Sequence, residues 1–134
     1  MTIARDLERE VARCAEAGKC YAIVAVVPQH LPRERQPEIV RALAERLPEI
    51  VRATDLAGMV DGEALIVGAE NDHVSAAVLA DRLQSELRLR TLHLQNISWE
   101  SGFACLPDDG TTADELVTRA IAETQTRRRR LAAL

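Results

Sequence analysis

Arg52-Ala-Thr-Asp55-Leu-Ala-Gly58-Met-Val-Asp61-Gly62-Glu63-Ala64-Leu65-Ile-Val67 reads as a β-hairpin with polar groups at both ends. Asp61-Gly62 lies between the apolar runs 56–60 and 64–67. An Asp-Gly pair in that setting is a strong signal for a two-residue turn, because both turn residues must take positive φ. The expected geometry has Gly62 at positive φ and Glu63 one residue past the tip. Arg52 and Asp55, three apart, stand just ahead of the first strand.

Upstream, residues 20–27 form a near-continuous apolar run rich in Val and Ile, too short for a buried helix. It reads as a central strand buried on both faces, ended by Pro28 and Pro32. Residues 2–17 carry Ile3, Leu7, Val11 and Cys14 at helical spacing, with Thr2 as candidate cap and Gly18 as terminator. That apolar face suits packing on its own domain, with a two-helix homodimer contact as the alternative. A second helix is expected over 37–51 with Ile39, Val40, Leu43, Leu47 and Ile50 inward, kinked or shortened at Pro48.

Downstream of the hairpin, Asp72 is placed to cap a helix through 87, with Val74, Ala77, Val78, Leu83 and Leu87 facing inward. Residues 92–106 supply one or two strands, broken near Gly102, and Pro107-Asp-Asp-Gly110 is a turn. Thr111 or Thr112 then caps a last helix that ends in Arg127, Arg128, Arg129 and Arg130, cations that offset the negative helix end. A helix is thus followed by βαββαβ and another helix. That core is the ferredoxin-like split βαβ arrangement, an α+β fold with a mainly antiparallel sheet and helices on one face.

The chain has 134 residues, which suits one domain (1–134: N-terminal helix 1–18, core 20–128) with a core that needs no disulfide or metal. A net charge of −4 argues against broad binding to nucleic acid or an anionic membrane. No apolar run approaches the ~18 residues of a membrane span, and the polar N-terminus is not a signal peptide. Cys14, Cys20 and Cys105 show no metal-ligand spacing and read as reduced thiols of a cytoplasmic protein. His30, His73 and His93 fall on separate elements, so neither a metal nor another cofactor is expected. No Gly-x-Ser-x-Gly setting supports a nucleophilic hydrolase.

The run from Asp55 into the hairpin, with Gly102 and Pro107-Asp-Asp-Gly110 following in order, resembles GGDEF domains, the diguanylate cyclase family, over residues 20–128. The resemblance implies a nucleotide-cyclase-like fold and, in active members, two carboxylates that hold two metal ions on GTP. Here the first-strand acid position falls on Val27, or by another register Val26. The signature five residues read Asp61-Gly62-Glu63-Ala64-Leu65: Glu63 keeps the acid of the third position, Ala64 has lost the next, and Asp61 puts a negative charge where a glycine should approach phosphate. One carboxylate cannot hold two Mg²⁺ ions, each of which needs several oxygen ligands. The arginine that precedes the family's hairpin is Met59, and the guanine-recognising segment is compressed to His30-Leu-Pro-Arg-Glu-Arg-Gln-Pro37 without Asn or Asp. The chain is therefore expected not to be an enzyme.

The same resemblance places Arg52 and Asp55 at the family's product-inhibition site, where Arg reads a guanine edge and Asp accepts from the base. The family's helper arginine falls on Gln84, with Arg82 and Arg88 nearby as substitutes. The implied function is an inactive bacterial signalling domain that contacts another signalling protein, with cyclic di-GMP as candidate ligand. Two other readings stay open: an assembly domain with no nucleotide role, and a residual nucleotide enzyme using Glu63. A chain starting at Met1 without a sensor domain is expected to meet its input or output in trans.

Overall fold

The computed structural model describes residues 3–94 and 97–133, with side chains as far as residue 126. Thr2, the candidate first cap, and the side chains of Arg127, Arg128, Arg129 and Arg130 lie outside the described residues. The elements run α1 (Ile3–Ala17), β1 (Tyr21–Gln29), α2 (Gln36–Ala44), β2 (Leu56–Val60), β3 (Ala64–Ala69), α3 (His73–Arg90), β4 (Ser98–Leu106) and α4 (Ala113–Ala133). The strands form one antiparallel sheet in the order β2-β3-β1-β4, the ferredoxin-like order. The α+β expectation holds.

Local chemistry explains most element ends. Gly18, at φ +67°, ends α1: its N–H donates to Ala15 O and that of Lys19 to Cys14 O, the paired bonds of a Schellman stop. Pro48 shortens the second helix, which stops at Ala44 and leaves a separate 3₁₀ turn, Leu47–Glu49. Asp72 caps α3, its Oδ1 accepting from the Ser75 N–H at 2.8 Å. Thr112 caps α4, its Oγ accepting from Glu115 N–H at 3.2 Å and donating to the Glu115 carboxylate at 3.1 Å.

β1 runs between β3 and β4, and Tyr21 through Val26 are all buried, so its alternate side chains enter two cores. On one face Ile23 and Ala25 meet α1 and α4 through Leu7, Val11, Leu116 and Ala120. On the other, Val24 and Val26 meet α2 and α3 through Val40, Leu43, Leu83 and Leu87. The two helices inside the βαββαβ core do share one face. The flanking helices cover the opposite face, which makes three layers.

Five expectations need correction. The last helix does not end at residues 127–130 but continues to Ala133. Pro28 lies inside β1 rather than ending it: pairing with β3 stops at Val26, and beyond that β1 has a neighbour only in β4, where a missing N–H is tolerated. Gly102 does not break its strand. β4 is continuous through it, and a Cβ there would stand 2.5 Å from Ala120 O and 2.7 Å from Thr124 N, so the glycine lets α4 approach the sheet. The inward face of α3 is Ala76, Leu79, Ala80, Leu83 and Leu87, while Val74 and Val78 are 74% and 64% exposed. The hairpin loop has three residues, because Val60 pairs with Ala64. Asp61 and Gly62 still take φ of +53° and +65°, and Glu63 N–H donates to Val60 O, so the tight turn is present and Glu63 is the added residue.

Candidate functional site

Arg52 and Asp55 form a closed turn just before β2. Asp55 N–H donates to Arg52 O at 3.0 Å, and Asp55 Oδ2 accepts from Arg52 N–H at 3.0 Å. The Asp55 side chain is 3% exposed, while that of Arg52 is 61% exposed, with Nη2 3.4 Å from Asp55 Oδ1. Nη2 also donates to Asn71 Oδ1 at 3.2 Å, across the gap to the start of α3. Asp55 thus anchors the turn and orients an outward guanidinium. It differs from the expected free acceptor, since both its oxygens already face Arg52.

Arg52 forms a ridge between two hollows. One, of about 320 Å³, is lined by Arg52, Asp55, Asn71, Val74, Val78 and Arg82. The exposed Val74 and Val78 of α3 line it together with the buried Leu79, and Arg82 Nη2 reaches back to Ile50 O at 3.4 Å. The other, of about 470 Å³, is polar and lined by Glu10, Arg13, Tyr21, Thr54 and Glu70. There Arg13 bridges Glu10, at 2.6 Å, and Glu70. Arg13, with Lys19 beside it, holds Glu70 below the usual carboxylate range, and burial raises the Tyr21 phenol.

The expected substitutes separate. Arg82 lies beside Arg52, but Gln84 and Arg88 line a different hollow with Ile97, Trp99 and Glu100. Gln84 Oε1 accepts from Ser101 Oγ at 2.8 Å, so it serves the α3–β4 contact and not the Arg52 site. The physical reason is helical rotation: ~100° per residue puts position 84 ~200° around α3 from position 82.

At the hairpin, Asp61 and Glu63 are exposed, whereas Ala64 and Val26 are buried and Leu65 pairs with Val26. A Cβ on Gly62 would stand 3.3 Å from Pro37 Cβ, so the first turn of α2 leans on the hairpin tip. Among the described residues, Glu63 belongs to no group of three or more metal-capable side chains.

Such a group does occur elsewhere. His73, Cys105 and Asp109 bring one ligand atom each within 4.8 Å of one another. His73 Nε2 is 3.3 Å from Asp109 Oδ2, which also accepts from the Cys105 N–H at 2.9 Å. Burial, with the Asp109 charge beside it, pushes the Cys105 thiol up to about 12. The sequence reading kept these residues apart because they lie on different elements. Two signals bore on their meeting: the Asp72 cap, which sets His73 at the first helical position, and the Pro107-Asp-Asp-Gly110 turn that ends β4.

A four-stranded antiparallel sheet in this order, covered by helices on both faces, defines a ferredoxin-like α+β domain, here with an Arg-x-x-Asp turn beside its β-hairpin. No family model matches the sequence, and no curated protein matches it. Solved structures do. The GGDEF domain of YfiN (TpbB) from Pseudomonas aeruginosa superposes with a TM-score of 0.76 at 18% identity, over 96% of this chain and 88% of that one. The active GGEEF domain of a diguanylate cyclase from Vibrio cholerae gives 0.71 at 18% identity, over 94% and 90%. The GGDEF domain of DgcB from Caulobacter crescentus, solved in complex with c-di-GMP, gives 0.71 at 19% identity, over 93% and 81%. The chain has the GGDEF-domain fold. Among the described residues, no helix is long and apolar enough to cross a membrane.

Proposed function

We propose that this chain is a catalytically inactive GGDEF-like domain of bacterial signalling that binds cyclic di-GMP at Arg52 and acts by contacting another signalling protein. The observation that carries the ligand is the grouping of Arg52 and Arg82 around the exposed Val74 and Val78. A guanidinium held by Asp55 and Asn71 offers paired N–H donors to a guanine edge. The valine stripe offers an apolar surface to the base, and Arg82 supplies a second cation for phosphate. Asp55 acts here mainly by orienting Arg52.

Inactivity rests on the hairpin end. Glu63 is the remaining signature acid, Val26 and Val27 occupy the first-strand position, and Pro37 stands against the turn where nucleotide would need room. Calorimetric titration with cyclic di-GMP tests the ligand. Arg52→Ala should weaken binding about 10- to 100-fold, the ~1–3 kcal/mol of a two-pronged guanine contact, and Arg82→Ala should weaken it less. Absence of heat at millimolar ligand, or binding indifferent to Arg52, would refute the site. Incubation with GTP and Mg²⁺ or Mn²⁺ should yield no cyclic di-GMP; product that disappears in Glu63→Gln would refute inactivity.

A further inference from the structure

We propose that His73, Cys105 and Asp109 form a binding site for a zinc-class divalent cation, tying the start of α3 to the turn between β4 and α4. Three donors of different kinds converge from two sequence regions: an imidazole at the start of α3, and a thiol and a carboxylate four residues apart at the end of β4 and its turn. Their types suit Zn²⁺, which takes N, S and O ligands in tetrahedral geometry. Two ligands ~2.0–2.1 Å from a tetrahedral ion stand ~3.3–3.4 Å apart, and His73 Nε2 and Asp109 Oδ2 are 3.3 Å apart. With all three ligand atoms inside 4.8 Å, closing the set on an ion takes shifts of about 1 Å.

The surroundings fit a held ion. Asp109 is oriented by the Cys105 N–H, so two of the donors are fixed to each other through the backbone. Asp108 Oδ2 lies 3.8 Å from His73 Nδ1, on the ring edge away from the cluster, as the carboxylate behind a metal-bound histidine does. Three features oppose the ion, the first being burial, which favours the protonated Cys105 thiol over the thiolate. Arg119 Nε sits 3.8 Å from the other Asp109 oxygen, and the helix N-terminus disfavours a cation. A thiolate and the Asp109 carboxylate neutralise a doubly charged ion, and Asp72 and Asp108 add negative charge around it. Binding places Cys105 Sγ on the metal and releases its proton to solvent. His73 is exposed, which leaves the fourth position open to water.

Titration of the purified chain with Co²⁺, read by absorption, and with Zn²⁺, read by calorimetry, tests the site. One ion per chain is expected, with a thiolate-to-cobalt charge-transfer band. Cys105→Ser should abolish that band, and Cys20→Ser should leave it intact. His73→Gln, an exposed change that keeps the fold, and Asp109→Asn should each weaken Zn²⁺ at least 10-fold. Zn²⁺ should raise the melting temperature of the parent but not of His73→Gln. No cobalt band at millimolar metal, a band that survives Cys105→Ser, or zinc binding indifferent to His73→Gln would each overturn the proposal.

Discussion

Replacing Gly102 with alanine should destabilise the domain more than any other single-methyl change at a glycine in the sheet. The added Cβ would meet Ala120 O at 2.5 Å, Thr124 N at 2.7 Å and Glu123 Cβ at 2.9 Å. Two of these are backbone atoms of α4, so relief requires moving a helix that packs along β4 and β1. Overpacking of this kind costs ~1–3 kcal/mol, and immovable backbone puts Gly102 at the upper end. Reduced freedom of the unfolded chain returns ~0.4–1 kcal/mol, leaving a net loss of about 2 kcal/mol. At ~2.1 cal/mol/K of unfolding entropy per residue over 134 residues, that is about 7 °C in melting temperature. Gly68→Ala provides the comparison. Its Cβ would meet Tyr21 OH at 2.5 Å and Leu7 Cδ2 at 2.7 Å, both side-chain ends. It should cost less, and adding Tyr21→Phe should recover part of the loss. Calorimetric melting of these variants decides the matter. An unchanged or higher melting temperature for Gly102→Ala, or a larger loss for Gly68→Ala, would refute the view that Gly102 exists to admit α4.

Gly62→Val should lower stability by ~1–3 kcal/mol, since its φ of +65° suits glycine and Pro37 crowds the new side chain; chemical denaturation measures it. Thr91→Val should cost ~1–3 kcal/mol, because Trp99 Nε1–H donates to Thr91 Oγ at 3.0 Å in a buried setting and would lose its acceptor; urea midpoints report it. Gln84→Arg should leave cyclic di-GMP affinity unchanged by calorimetry, because that side chain faces β4, away from Arg52. The Ser75 backbone N–H holds Asp72 below the usual aspartate range. Its stabilisation is therefore present above the unfolded pKa and is lost as pH falls through the folded one. Asp72→Asn should flatten melting temperature against pH in that acid window.

Patterns of short range were legible in the chain itself. Alternation and apolar runs identified the strands, and the helix stops at Gly18 and Pro48, the Asp72 cap and the positive-φ pair Asp61-Gly62 follow from conformational rules that act within a few residues. The split βαβ order and the Arg52–Asp55 pair were readable for the same reason. What required the tertiary structure was direction. Val74 and Val78 look like core residues by hydropathy, yet the packing of α3 buries Ala76, Leu79, Ala80, Leu83 and Leu87 and turns the valines onto the Arg52 hollow. Rotation of the same helix gives Arg82 to that site and sends Gln84 and Arg88 to the opposite side, a choice that spacing from the hairpin cannot make. Gly102 reads as a strand breaker locally and becomes a contact point only because α4 folds back over it. His73 and Asp109, thirty-six positions apart, meet because β4 returns beside α3; no local interaction encodes that distance, and only closure of the sheet brings the imidazole to the carboxylate.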